Sequence, residues 1–373
     1  MEVVTLSLGR GILDVGSRER ERMHGYAQHL DALHVIVFTR KKHGYCDIQH
    51  DETLTIYPTN SLLRVTMLWD AFFIVRMLAK KNRAEELIIS AQDPLEIGWL
   101  SWLLSWYKHT RLHIQVHGDY FGTGWVGYSP MRWVRRFFAL ILLQRAPSIR
   151  VVSERIKYSL VVRGIKESKI TVLPIRPELE NFLSHTARYH ETPPYTFLFV
   201  GRLAPEKNIT RIIHAFARVY QEYPETQLRL VGGGVCESSL KKYAEISGIA
   251  HALTWIPWTQ DVAQEMEHAD VFVLASKHEA YGLVLLEAMA VGLPLITTDV
   301  GCVGEVVRDT VHGTVVYDMS DDAYAEAMIQ MITDHAFREQ CGRNAKKTAQ
   351  AIAETTAQTY TKAWVSALSV PTD

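Results

Sequence analysis

The sequence predicts an α/β protein of two domains, each built on a parallel sheet covered by helices. Three observations lead there. A length of 373 residues, at roughly 150 per domain, accommodates two or three domains. Short apolar runs that stop at glycine or polar residues alternate with segments of helical periodicity through the second half. Between the halves, Val172-Leu173-Pro174-Ile175-Arg176-Pro177 sets two prolines in four residues, which favours an extended connector and puts the boundary near residue 175.

In the first half, strands are expected at 3–8, 35–38, 87–90, 113–116 and 150–152, with helices between several of them. The second half is more regular. Phe197-Leu198-Phe199-Val200 reads as a buried strand stopping at Gly201. Ile209, Ile212, Ile213, Phe216 and Val219 or Tyr220 then recur at helical spacing, with Asn208 expected as N-cap and Pro224 beyond the end. Strands are expected at 228–231, 271–274 and 295–297. The first of these runs into Gly232-Gly233-Gly234 and a polar helix, and a helix at 283–291 separates the other two. An Ala/Thr/Gln-rich stretch near the C-terminus reads as a solvated helix.

With 47% apolar and 22% charged residues, 22 glycines and 13 prolines, the chain is neither disordered nor fibrous. Cys46, Cys236, Cys302 and Cys341 stand far apart, which excludes a disulfide scaffold and a structural zinc cluster and suits a reducing compartment. The N-terminus lacks the basic start of a signal peptide, so a cytoplasmic location is expected. The most apolar stretches, 99–107 and 137–143, fall short of the roughly 18 residues a membrane span needs. Charge is uneven. Residues 1–180 hold 25 Lys and Arg against 18 Asp and Glu, while the remainder holds 15 against 23, so the first half is suited to an anionic partner.

In open parallel sheets ligands bind beyond the carboxyl ends of the strands, so the loops after strands are where chemistry is sought. After Val200, the loop Gly201-Arg202-Leu203-Ala204-Pro205-Glu206-Lys207 carries two cations and ends at a helix N-terminus, an arrangement suited to a diphosphate. After the strand at 271–274, Ser276 to Gly282 leads into an apolar helix. Glu279 lies on that loop, with Tyr281 beside it. Eight residues on, Glu287 lies about one turn into the helix, where a carboxylate among apolar neighbours needs either an arginine or a ligand such as a ribose diol. The Gly282 and Leu283 amides at the helix start could add phosphate donors.

These residues resemble the retaining GT-B glycosyltransferases of family 4. The run from Glu279 through Glu287 to Pro294 is similar to their Glu-x7-Glu motif, Val200-Gly201-Arg202 through Lys207 and Asn208 to the family's pattern in that loop, and Thr298 through Gly301 to Glu305 to their next loop. The likeness is strong over about residues 195–310. It implies two Rossmann-like doubly wound domains facing a central cleft: residues 1–175 on the acceptor side, joined by the C-terminal helix at 356–373, and residues 176–355 holding the nucleotide sugar. It also implies sugar transfer with retention, from a UDP- or GDP-linked donor to a glycan or lipid-linked acceptor in polysaccharide or glycolipid synthesis. Arg202 and Lys207 would bind the diphosphate, Glu279 the donor sugar, Glu287 the ribose, and His117, after the strand at 113–116, the sugar near the reaction centre. Gly9 and Gly11 stand where the family has its glycine-rich loop, although Arg10 and a charged stretch at 17–22 depart from that pattern, with Arg10 or Arg18 placed to reach an anionic acceptor.

No cofactor and no metal are expected, because Arg and Lys can neutralise the leaving group and no Asp-x-Asp motif is present. The stretch Arg132-Trp133-Val134-Arg135-Arg136-Phe137-Phe138 interleaves arginines and aromatics. It suits an anionic membrane surface, whereas Val134, Phe137, Phe138 and Ile141 equally make a core-facing stripe. Nucleic acid is not expected as a partner, given the near-neutral total charge. Other classes compatible with these features are an epimerase or phosphorylase on the same fold, a silent sugar-nucleotide-binding subunit, and, less well, a dehydrogenase, since Gly232-Gly233-Gly234 lacks GxGxxG spacing.

Overall fold

The computed structural model describes residues 1–45, 47–81, 87–106, 109–122, 130–318 and 320–368. Cys46, Tyr107 at the end of the apolar stretch 99–107, and positions 369–373 of the expected C-terminal helix lie outside the described residues. The chain divides into two compact units, Met1–Pro174 together with the segment from Thr356 on, and Ile175–Thr355.

In the first unit an eight-stranded sheet is formed by β1 (Glu2–Ser7), β2 (Ala32–Val37), β3 (Gln49–Asp51), β4 (Leu54–Pro58), β5 (Leu87–Ala91), β6 (Thr110–Val116), β7 (Ser148–Val151) and β8 (Ile170–Val172), in the order β3-β4-β2-β1-β5-β6-β7-β8. All neighbouring pairs are parallel except β3 with β4. Because side chains alternate across a strand, β1 serves two cores. Val3 joins Leu33, Val35 and Val37 under the helix Arg18–Ala27, while Val4 and Leu6 join Ile36, Ile89 and the helices Met67–Lys81 and Glu96–Leu104.

The C-terminal helix, Ala357–Leu368, belongs to the first of these cores. The sequence reads it as solvated, yet Tyr360, Trp364 and Leu368 are buried. The Trp364 ring stacks on Tyr26 with centroids 4.4 Å apart. Beside it, the buried Arg150 donates to the Leu173 and Pro174 carbonyls, to Gln115 Oε1 and to Tyr360 Oη, and Tyr360 in turn donates to the Pro174 carbonyl. One guanidinium therefore ties the outgoing connector and the returning helix to the same sheet.

The second unit carries β9 (Tyr195–Val200), β10 (Thr226–Val231), β11 (Leu253–Ile256), β12 (Val271–Leu274), β13 (Leu295–Thr298) and β14 (Gly313–Val316) as an all-parallel sheet in the order β11-β10-β9-β12-β13-β14. The order reverses between β9 and β12, which makes the carboxyl ends of those two strands the switch point where a ligand crevice opens. The helix Ile209–Glu222 buries Ile209, Ile212, Ile213, Phe216 and Val219. Its N-cap is Asn208, but the expected side-chain cap is absent. Asn208 instead supplies a left-handed backbone, φ 51° and ψ 41°, which asparagine tolerates better than most residues. The helix Leu283–Val291 is buried on almost every side, consistent with its apolar sequence.

On the helix Pro130–Arg145 the buried positions are Ala139, Leu142 and Leu143, while Val134, Phe137 and Phe138 are exposed. The core-facing stripe read from the sequence is thus not the buried face. Among the described residues, no helix is long and apolar enough to cross a membrane.

Trp364→Ala is expected to lower stability by about 3–5 kcal/mol, the usual cost of emptying a buried aromatic site. Urea denaturation checks this; a solvated helix would give a change within about 0.5 kcal/mol.

Candidate functional site

In the second unit, the loops after β9, β10, β12 and β13 are laced together by backbone hydrogen bonds. Leu203 N donates to Gly233 O at 3.0 Å, Lys277 N to Glu206 O at 2.8 Å, and Cys302 N to Tyr281 O at 2.8 Å. Thr298 Oγ1 donates to Ser276 O at 2.6 Å. Two glycines allow this approach. The carbonyl of Gly201 lies where a side chain on Gly232 (φ 131°) would begin, and the carbonyl of Tyr281 where one on Gly301 (φ 58°) would begin.

The lacing brings Lys207 to Glu279. Lys207 ends the turn Pro205–Lys207, and its Nζ donates to Glu279 Oε1 at 2.5 Å. Ser276 Oγ donates to the same oxygen at 2.7 Å. The two charged side chains are only 14% and 13% exposed, so each charge depends on the other. Arg202 lies on the same loop but turns outward. It is exposed and pairs with Glu206 at 3.1 Å, an arrangement worth about 0.5 kcal/mol or less and readily exchanged for a ligand anion. The sequence placed both cations on one loop; the structure gives them different carboxylates.

Gly282 is the N-cap of the helix Leu283–Val291, whose first turn has neither a side-chain cap nor an acidic residue. Its positive end therefore stands beside Glu279 without a side-chain cap of its own. Glu287, further along, has no hydrogen-bond or ion-pair partner among the described residues, so the arginine alternative is not realised. Burial alone pushes its carboxyl up from 4.5 to about 6.

In the first unit, His117 directly follows β6. Its Nε2 lies 3.2 Å from Gln115 Oε1, which also accepts from Arg150 Nη1 at 2.7 Å, while Gln115 Nε2 donates to Ser90 Oγ at 2.9 Å. With the amide fixed in that sense, His117 Nε2 is the donor and Nδ1 the acceptor. Burial, then the Arg150 and Arg22 charges, lower its pKa to about 3, so the ring is neutral at physiological pH. Gly9 and Gly11 follow β1 at this sheet's own switch point between β1 and β5. Gly9 N donates to Ser7 Oγ at 3.1 Å, and the Glu19 carboxylate packs over Gly11. Gly11 thus meets an acid, which disfavours an anion at that spot.

Sequence reasoning missed Ser276, Gln115 and Arg150. An arginine within a buried strand, three positions past a proline, was the available signal for the last.

Two parallel-sheet α/β domains of this kind constitute the GT-B fold of glycosyltransferases. Within the second unit, residues 185–348 match the family model described as glycosyl transferases group 1. Sucrose-phosphate synthase from Thermosynechococcus elongatus superposes with a TM-score of 0.76 at 20% identity, covering 98% of this chain and 99% of that one. The Anabaena protein HepE, solved with UDP and glucose, gives 0.73 at 16% identity over 100% of both chains. An uncharacterised glycosyltransferase of Methanocaldococcus jannaschii is 32% identical over 152 residues, 40% of this chain and 39% of that protein. A capsular polysaccharide biosynthesis glycosyltransferase of Staphylococcus aureus is 27% identical over 230 residues, 57% of this chain and 60% of that protein. The chain thus spans less than two thirds of either of these two relatives.

The raised pKa of Glu287 has a sign that can be checked. Below pH 4.5 the carboxyl is protonated in both folded and unfolded states; as pH rises through 4.5 to 6 only the unfolded chain ionises freely, and the native state loses up to about 2 kcal/mol. Glu287→Gln removes this loss. Its stability relative to the parent is expected to rise by about 2 kcal/mol between roughly pH 4 and pH 7.5, measured by urea unfolding; a constant difference refutes the buried, unpartnered carboxylate.

Proposed function

We propose that this chain is a retaining glycosyltransferase that moves a sugar from a nucleotide diphosphate sugar, UDP- or GDP-linked, to a glycan or lipid-linked acceptor in polysaccharide or glycolipid synthesis. The observation that carries the reading is the Lys207–Glu279 pair set across the β9/β12 switch point beside an uncapped helix start. Support comes also from the match of this same unit to group 1 glycosyl transferases, from the UDP and glucose in the HepE crystals, and from the capsular polysaccharide role in the name of the S. aureus relative.

As the bond from the anomeric carbon to the phosphate oxygen breaks, negative charge accumulates on the departing diphosphate. Lys207, Arg202 and the Gly282 and Leu283 amides meet that charge in a crevice poorer in water than the surface, where fixed cations and dipoles act strongly. Glu279 positions Lys207 through Oε1 and offers Oε2 to hydroxyls of the transferred sugar. Glu287 accepts from the ribose hydroxyls, which supply the partner it lacks in the protein. A neutral His117 with Nδ1 unprotonated is suited to accept a hydrogen bond from a sugar hydroxyl without drawing the leaving group toward itself. The charge in this scheme comes from the side chains, so no metal is invoked.

One nucleotide series, tested among UDP-, GDP- and ADP-sugars, is expected to raise the melting temperature, and to do so in EDTA. Lys207→Ala and Glu279→Gln are each expected to lower turnover of that donor at least about 100-fold while far-UV circular dichroism is unchanged. Near-normal turnover in either variant, or stabilisation by no donor, overturns the assignment.

A further inference from the structure

Three helices of the first unit lie side by side: Met67–Lys81 packs on Glu96–Leu104, which packs on Pro130–Arg145. Their faces away from the sheet carry large aromatic side chains in water. Trp69 is 65% exposed, Trp133 61% and Phe137 60%; Phe73 and Phe138 are exposed as well, as is Trp106 just past the end of the middle helix. Between the helices runs an apolar groove of about 740 Å³, walled by Trp69, Phe72, Trp99, Leu100, Leu103 and Phe138. Single exposed hydrophobes are ordinary on soluble proteins, whereas a continuous aromatic face over three helices marks a binding surface.

The charges around this face say what binds it. Helix Pro130–Arg145 carries Arg132, Arg135, Arg136 and Arg145 and no acidic residue. Arg64, Lys80 and Lys81 are exposed on and just before the helix Met67–Lys81. The acids nearby are engaged: Glu96 pairs with Arg135 at 2.6 Å, and Asp70 accepts from Ser61 Oγ at 2.5 Å. Arg136 lies over the Trp133 ring and Arg145 over Trp102, so cations and aromatics share one layer. A second copy of the chain laid on this face about a two-fold axis would set arginines against arginines. An anionic surface that also accepts aromatic rings has neither conflict.

We propose that this three-helix face docks on the headgroup layer of an anionic lipid bilayer. The aromatics enter the boundary between headgroups and acyl chains, and the arginines engage lipid phosphates. Docking of this kind is independent of the reaction proposed above and is read without it.

The test is flotation of the full chain with vesicles of phosphatidylcholine alone or mixed with phosphatidylglycerol. The chain is expected to float with the mixed vesicles, to float weakly with phosphatidylcholine alone, and to be released by salt. Trp69→Ser, Phe73→Ser, Trp133→Ser and Phe137→Ser combined are expected to abolish flotation, and Arg132→Gln with Arg136→Gln to weaken it about fivefold per charge. An unchanged melting temperature shows that these surface variants fold. No flotation of the parent chain, equal flotation of the aromatic variant, or a stable dimer that the aromatic variant dissolves each overturns the proposal. A chain that floats but transfers no sugar loses only the enzymatic reading.

Discussion

The ion pair between Lys207 and Glu279 is the contact on which the second unit's site depends. It joins residues 72 apart in sequence and requires β9 and β12 to lie side by side with both carboxyl ends at one edge. Parallel pairing of these two strands supplies that placement, and the lacing of four loops holds it. A lysine and a glutamate on long surface loops would contribute little to stability. Held at this depth, each is fixed where a ligand can use it, because neither can turn away without leaving the other charge poorly compensated.

The same pair explains why an arginine and a lysine so close in sequence behave differently. Lys207 is pinned and oriented, whereas Arg202 stays on the surface with a weak local partner. A fixed cation and an adaptable one suit the diphosphate of the function proposed above. Glu287 contributes in the opposite sense. It is an ionisable group that the native protein holds at a cost, and groups kept at such cost are often ones a ligand satisfies.

The second unit was legible because its central strands are buried on both faces and read as unbroken apolar runs, each followed by a polar loop: Phe197 to Val200 and Val271 to Leu274 are of this kind. Strands β11 and β14 are four-residue edge strands, and β3 is a three-residue one; they carry no such run and left no signal. β4 is buried, but in Leu54-Thr55-Ile56-Tyr57-Pro58 its threonine and proline interrupt the pattern. The C-terminal helix misled for another reason. Tyr360 and Trp364, four residues apart, form its apolar face, and small and polar residues between them dominate the composition. Among the site residues, those on loops directly after strands could be read from position alone. The Ser90–Gln115–Arg150 chain that sets the state of His117 joins three strands, and only the sheet order brings them together.

The return of the last helix to the first unit also bears on the order of assembly during synthesis. The core around Val3, Val35 and Tyr26 is closed by Tyr360, Trp364 and Leu368, so the amino-terminal unit leaves the ribosome with one wall missing. At about 5–20 residues per second, that wall arrives some ten seconds or more after Pro174 has emerged. The second unit, continuous in sequence, can complete its sheet within that interval. The unit that starts the chain is therefore the last to finish folding. Until then the sides of Val3, Val35 and Tyr26 that this helix covers have no packing partner there.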